Sequence, residues 1–174
     1  MIGVAGTPCE RGRRTPIGTI DPEGLRDILR RFAAGVTVIT SLNQQERPAG
    51  MTATAFTSVS LEPPQVLVCV NAGARTRQAI ESHAGFVVNI LSAEQEHVAR
   101  RFASSASDKF EGIAWHPGMT GAPVLDGALA TVECRVAQAI EAGSHVIYVG
   151  SVLDGRLGSG RPLLYFEGAY RLLS

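Results

Sequence analysis

The segment from Gly50 to Pro64 constrains the fold more than any other part of this sequence. It carries five hydroxyl side chains in the nine positions from Thr52 to Ser60, and the residues between them are mostly small and apolar. Alternating polar and apolar β-formers are typical of a strand with one face toward the core. Each hydroxyl also offers one donor and two acceptor lone pairs, and leaves room for a ligand. The segment therefore predicts either an ordinary edge strand or a strand that contacts the phosphate and the ribityl or ribose group of a cofactor.

Length and composition predict one domain, residues 21–174, behind a flexible extension over residues 1–20. A chain of 174 residues buries roughly 70% of its unfolded surface, so its core needs neither disulfides nor a metal. With 19 glycines and 18% charged residues, the chain is typical of a compact, turn-rich β protein. With a formal net charge of +0, the chain does not have the excess of basic residues that is typical of a nucleic-acid-binding protein, so no nucleic-acid partner is expected.

Cysteine usage and hydropathy predict a cytoplasmic protein. Cys9, Cys69 and Cys134 are odd in number and show neither a disulfide framework nor zinc spacing, which indicates a reducing compartment. No apolar run is long enough to span a bilayer. The N-terminal arginines are not followed by the apolar region of a signal peptide. We therefore expect no membrane partner.

Hydrophobic periodicity predicts many strands and three short helices. The first helix starts at an N-cap Asp21 and has one apolar face, Leu25, Ile28, Leu29 and Phe32. The second covers about 76–82, and the third opens with a capping box at Ser92 and runs to about Phe102. Strands are predicted at 36–41, 49–54, 66–70, 85–91, 128–141, 146–153 and 164–172. This order predicts an α+β fold, mainly β, built as a closed or split antiparallel barrel with flanking helices.

The loop that enters the second helix is a candidate anion site. Free backbone N–H groups and the positive end of the helix dipole meet where such a loop becomes a helix. Arg75 and Thr76 lie at this point, where they could hold a phosphate. In the structural alternative, Thr76 is only the N-cap of the helix.

Several common catalytic motifs are absent from the sequence. It contains no Gly-x-Gly-x-x-Gly, no Walker A sequence and no nucleophile elbow around Ser58 or Ser60. The four histidines show no ligand spacing, so no metal is expected. A dinucleotide would have to be bound by a fold other than the Rossmann fold.

Seven further motifs accompany the 50–64 segment in order. They are FAAGVTVIT at 32–40, RTRQAI at 75–80, FVVNIL at 86–91, RFA at 101–103, DKFEG at 108–112, GSHVIYVG at 143–150 and RPLLY at 161–165. From about Leu25 to Arg171, this ordered set resembles the short-chain flavin reductases. These are the small reductase partners of two-component flavin-dependent monooxygenases of the 4-hydroxyphenylacetate type.

The resemblance implies a split-barrel homodimer that transfers a hydride from NADH, or alternatively NADPH, to FAD or FMN. Reduced flavin would then pass to a separate monooxygenase, in one setting within natural-product biosynthesis. The resemblance places the following residues at the flavin: Thr37, Val38, Thr52, Ala53, Thr54, Ala55, Ser58, Val59, Ser60, Arg75, Thr76, Phe102, Lys109 and Phe110.

His145 is the residue that the resemblance places at the nicotinamide. The family pattern at this turn is Gly-Asp-His, whereas this chain reads Gly143-Ser144-His145. A carboxylate beside an imidazole favours its charged form, and a serine does not do so. The departure therefore leaves the charge of His145 and the choice between NADH and NADPH open.

Two other functions remain open at this stage. A split-barrel protein that binds flavin tightly, for storage, sensing or electron relay, would share most of these motifs. An oxidase of the pyridoxamine-phosphate type would need further basic residues for its substrate phosphate, and no convincing set is present. FAD and FMN are not distinguished, because both carry the phosphate and ring that these motifs would contact.

Overall fold

The computed structural model describes residues 19–173. The predicted flexible extension, residues 1–20, lies almost entirely outside them. The elements follow in this order: α1 (Pro22–Leu29), β1 (Ala34–Gly35), β2 (Thr37–Leu42), β3 (Pro48–Ala53), β4 (Phe56–Leu61), β5 (Pro64–Asn71), α2 (Arg75–His83), β6 (Gly85–Ile90), a 3-10 turn (Ala93–Gln95), α3 (Glu96–Ala103), β7 (Trp115–Pro117), β8 (Pro123–Leu125), β9 (Ala130–Ala142), β10 (His145–Leu157), β11 (Leu163–Phe166) and β12 (Ala169–Leu172).

Seven of these strands form one antiparallel sheet in the order β3-β2-β6-β9-β10-β5-β4. Its two edge strands, β3 and β4, follow one another in the chain and are joined by only Thr54 and Ala55. Because two residues span only a few ångströms, the sheet must curl until its edges meet at this corner. The edges are not hydrogen-bonded to each other, so the barrel is split. The predicted fold class is confirmed.

The core has two main parts. One fills the barrel and includes the fully buried side chains of Ile39, Val68, Phe86 and Tyr148. The other lies outside the barrel wall, where β2 packs under α3, and includes Val38, Leu91, Phe102, Phe110 and Leu163. The second cluster supports the loop that follows α3, which is part of the candidate site.

The helix predictions hold, with shifted ends. Asp21 caps α1, and its Oδ1 accepts a hydrogen bond from Gly24 N at 2.7 Å. Ser92 and Gln95 form the expected capping box. The N-cap of α2 is Ala74, which has no side-chain bond to the helix. The alternative in which Thr76 serves as the cap is therefore wrong, because Thr76 is the second residue of the helix.

Residues 164–172 form a hairpin rather than the single predicted strand. β11 and β12 pair antiparallel across a turn at Glu167 and Gly168, whose φ angles are 52° and 77°. Two consecutive residues with positive φ reverse the chain in a tight hairpin. Residues 115–123, predicted as an irregular crossing, also contain a hairpin of β7 and β8.

Helix α1 has an apolar face that the described chain does not cover. Leu25, Ile28 and Leu29 of α1 are 45%, 53% and 60% exposed, and Phe32, in the turn just beyond the helix, is 75% exposed. The end of the helix is nevertheless anchored, because Glu167 N donates to the carbonyl oxygen of Arg30. The periodicity predicted the face of α1 correctly as far as Leu29, but Phe32 lies beyond the end of the helix, and the face packs against no core element. No helix in the described part of the chain is long and apolar enough to cross a membrane.

Candidate functional site

A surface cleft of about 510 Å³ lies where three segments meet. The segments are the β2–β3 turn with the start of β3, the loop that enters α2, and the loop that follows α3. Its lining residues are Asn43, Arg47, Pro48, Ala49, Gly50, Met51, Gly73, Ala74, Arg75, Thr76, Gln78, Ser104, Ser105, Ala106, Ser107, Asp108, Lys109 and Phe110.

The start of α2 faces this cleft with its first backbone N–H groups free of a side-chain cap. Arg75 is exposed, and its Nη1 makes only a long contact of 3.4 Å with the carbonyl oxygen of Ser107. Thr76 lines the cleft although it is only 2% exposed. A helix start of this kind, with a flanking guanidinium, is suited to an anion.

Lys109 is held at the opposite wall by backbone carbonyl groups. Its Nζ donates to the carbonyl oxygen of Phe102 at 2.8 Å and makes a longer contact of 3.4 Å with that of Gly50. Burial, and then the charge of Arg75, lower the pKa of the Lys109 ammonium group. Burial disfavours the charged form of Lys109, and an anion bound in the cleft would stabilise that charged form.

The positive charge of the cleft is not neutralised by acidic side chains. Arg47, Arg75 and Lys109 line it, and none of the three forms an ion pair with residues 19–173. The carboxylate of Asp108 instead accepts the backbone N–H groups of Phe110 and Glu111 at 3.0 and 3.1 Å. Three unpaired cations beside a free helix start fit a phosphate group.

Close packing beneath the cleft fixes its floor. A Cβ atom on Gly50 would lie 2.6 Å from Cε1 of Phe102, so only glycine allows this approach. Phe102 is 0% exposed and meets Phe110 edge-on, with ring centroids 4.9 Å apart. Phe110 in turn meets Trp115 at 5.9 Å. Phe102 thus supports the cleft from below, and its predicted contact with the flavin stays a prediction.

The first part of the hydroxyl segment is largely occupied by structural contacts. The Thr37 hydroxyl donates to the carbonyl oxygen of Ala53 at 2.7 Å, and that of Thr52 to Ala99 at 2.6 Å. Thr52 keeps its acceptor lone pairs for a ligand. Val38 is fully buried, and Ala53 is 8% exposed. Of the predicted residues in this region, only Thr54 and Ala55, at the barrel corner, are exposed.

The second part of the segment lies far from the cleft. Ser58 pairs with Val66, which is five residues before Asn71 at the other end of β5. At roughly 3.3 Å per residue, this separates Ser58 from the loop entering α2 by about 17 Å. Val59 and Ser60 lie further along the same edge strand. The structure therefore does not bring these three residues together with Arg75 and Thr76, and their predicted flavin contacts stay predictions.

His145 lies at the same end of the barrel as the corner and the start of α2. It is exposed, pairs with Asn71 and has its Nδ1 at 2.9 Å from the Ser144 hydroxyl. Ala72 N donates to the carbonyl oxygen of Ser144, which ties this turn to the loop before α2. The serine that replaces the family aspartate is thus in direct contact with the imidazole.

The comparisons with known proteins decide the family. Residues 29–174 match the flavin reductase like domain. The chain belongs to the flavin reductase family. It is 40% identical over 154 residues to the reductase subunit HsaB of a flavin-dependent monooxygenase from Mycobacterium tuberculosis, covering 87% of this chain and 82% of that one. It is 38% identical over 157 residues to a flavin reductase (NADH) from Kitasatospora aureofaciens, covering 88% and 82%.

A solved structure agrees with both the family and the fold. The NADH:FAD oxidoreductase SgcE6 of Streptomyces globisporus is 36% identical, with a TM-score of 0.86, and the match covers 97% of this chain and 99% of that one. This flavin reductase is therefore an oxidoreductase that uses a flavin and a nicotinamide cofactor. Among residues 19–173, no group of three or more His, Cys, Asp or Glu side chains is placed to hold a metal ion.

Arg47 and Asn43 are among the cleft residues that sequence reasoning missed. They belong to a polar turn that carries no motif, and they join the start of α2 and the loop 104–110 in one cleft only in the folded chain. Arg75, Thr76, Lys109 and Phe110 were predicted, and the structure brings all four into one cleft.

Proposed function

We propose that this flavin reductase transfers a hydride from NADH to FAD or FMN and releases the reduced flavin to a separate monooxygenase. The observation that carries the proposal is the cationic cleft at the start of α2, at the same barrel end as His145. NADH is favoured because relatives named for their nicotinamide cofactor are named for NADH. The monooxygenase partner is supported by relatives that are reductase subunits of such enzymes.

The roles of the residues follow from their positions. When bound, the flavin supplies the hydride acceptor, and the protein contributes binding and orientation. Arg75, Thr76 and the first N–H groups of α2 would hold the phosphate. Lys109 would add positive charge from the opposite wall. The exposed corner at Thr54 and Ala55 would contact the ring edge, and His145 would contact the nicotinamide.

A homodimer and a cytoplasmic location are further parts of the proposal. The uncovered apolar face of α1 supports the homodimer, because four large apolar side chains, three on the helix and Phe32 in the turn after it, are costly to leave in water. A second copy of the chain is the occupant that the resemblance implies. A flavin reductase that uses the NADH of the cell would work in the cytoplasm. A partner enzyme such as the tryptophan halogenase served by BorF would place it in natural-product biosynthesis.

Oxidation of NADH and of NADPH by the purified protein tests the reductase function. Each nicotinamide is followed by absorbance with no flavin, with FMN and with FAD. Turnover that rises with added flavin is expected, since the flavin then behaves as a substrate. Arg75→Gln should raise the KM for flavin, while Arg135→Gln, an exposed arginine of β9 outside the cleft, should leave it unchanged. No turnover with any combination, from folded protein that binds flavin, would refute the reductase and leave a flavin-binding protein.

A further inference from the structure

The cleft extends well beyond the phosphate site at the start of α2. Its lining continues along β3 to the β2–β3 turn, where Arg47 lies. The barrel corner, where the flavin ring is placed in the proposed function, lies at the other end of the same strand. Arg47 is six residues before Ala53, a separation of about 20 Å in an extended chain.

Arg47 belongs to a turn that is closed by hydrogen bonds at its base. Its backbone N–H donates to Oδ1 of Asn43 at 2.9 Å, and its carbonyl oxygen accepts the N–H of Asn43 at the same distance. The guanidinium, in contrast, has no hydrogen bond or ion pair with residues 19–173. A fixed backbone with an unused charged side chain leaves five N–H donors for a ligand.

The charge of the cleft is therefore divided between two places. Arg75 lies at the start of α2 with Lys109 across the cleft from it, while Arg47 lies in the β2–β3 turn, at the end of β3 away from the barrel corner. An FMN molecule ends at its single phosphate, so it has no group to place beyond α2. A flavin dinucleotide continues with a second phosphate and an adenosine.

We propose that this far half of the cleft binds the adenylate half of FAD, with Arg47 holding the second phosphate. The chain is then an FAD-preferring reductase, and Arg47 is the residue that determines this preference. The proposal rests on the proposed function, because it uses the same cleft and the same flavin orientation. The flanking loop 104–107 would face the adenosine across the cleft.

Equilibrium binding without nicotinamide tests the proposal separately from catalysis. FAD and FMN are each titrated by calorimetry into wild-type protein, Arg47→Gln and the control Arg135→Gln. Loss of one exposed charge contact should weaken FAD binding by about 1.5- to fivefold. FMN binding should be unchanged, and the control should bind both flavins as the wild type does.

A second titration uses ADP as the probe, since it carries the adenylate half without a flavin ring. ADP should compete with FAD for the wild-type protein, and Arg47→Gln should weaken this competition. Equal weakening of FMN and FAD by Arg47→Gln would overturn the proposal, because Arg47 would then act on the first phosphate. Unchanged affinity for both flavins would also overturn it. Binding of FAD with the expected Arg47 dependence but no NADH or NADPH oxidation would refute the proposed function alone.

Discussion

Gly50 is the position at which one added methyl group should disturb the floor of the cleft. In Gly50→Ala the new Cβ would lie 2.6 Å from Cε1 and 2.9 Å from Cδ1 of Phe102, and 3.2 Å from the carbonyl oxygen of Ile39. The Phe102 ring is fully buried and already packed edge-on against Phe110, so it has little room to move away. Overpacking of this kind costs about 1–3 kcal/mol of unfolding free energy.

The expected fall in melting temperature follows from the size of the chain. For a domain of this length each kcal/mol lowers Tm by about 2–4 °C, so Gly50→Ala should melt about 2–12 °C below the wild type. Flavin binding should weaken at the same time, because Lys109 takes its two backbone acceptors from Gly50 and Phe102.

Thermal unfolding followed by circular dichroism measures the effect, with Gly35→Ala as the matched control. A Cβ on Gly35 meets no atom within 4 Å, so that variant should be as stable as the wild type. Phe102→Leu shortens the obstructing ring, and the double variant Gly50→Ala/Phe102→Leu should lose less than the sum of the two single changes. If Gly50→Ala is as stable as Gly35→Ala, the argument from close packing is refuted.

Three further changes test the site and the surface. Burial and Arg75 lower the pKa of Lys109, so the wild-type protein should lose this positive charge, and with it flavin affinity, as the pH rises through that lowered pKa. Flavin titrations at a series of pH values should show no such loss of affinity in Lys109→Met. His145→Ala should raise the KM for NADH and leave the Kd of FAD unchanged, which steady-state kinetics and calorimetry can separate; a change in FAD binding alone would contradict the nicotinamide role. Ile28→Glu on α1 should convert the proposed dimer to a monomer, as measured by light scattering, whereas Arg26→Gln on the same helix should not. A wild-type protein that is monomeric at all concentrations would refute the proposed dimer interface at α1.

The fold was accessible from sequence because most of its signals are local. Alternating side chains and the capping residues Asp21 and Ser92 predicted most strands and all three helices. The hairpin of β11 and β12 was missed because its turn is Glu167-Gly168. Glutamate seldom adopts positive φ, so this pair lacks the Asn-Gly or Asp-Gly signal by which such turns are recognised.

The site was only partly accessible because its residues come together through long-range packing. Arg75 and Thr76 were predicted from a local feature, the start of a helix. Arg47 was missed because it lies in a polar turn without a motif, which meets the start of α2 and the loop after α3 only in the folded cleft. Ser58 belongs to the same run of hydroxyls, but it lies on an edge strand that leads away from the start of α2, so its predicted flavin contact stays a prediction. Sequence order alone does not tell how far such a strand runs from the start of α2.

The exposure of the cationic groups bears on whether the flavin is a substrate or a permanent cofactor. Of the three cations that line the cleft, Arg47 and Arg75 are exposed and only Lys109 is half-buried. Charge contacts at exposed positions contribute about 0.2–1 kcal/mol each, far less than buried pairs. Their sum favours moderate affinity and rapid release, which a reductase that must pass reduced flavin to another enzyme requires. A protein that stores flavin would bind it more tightly if the same charges were buried, whereas two of the three cations that line this cleft are exposed.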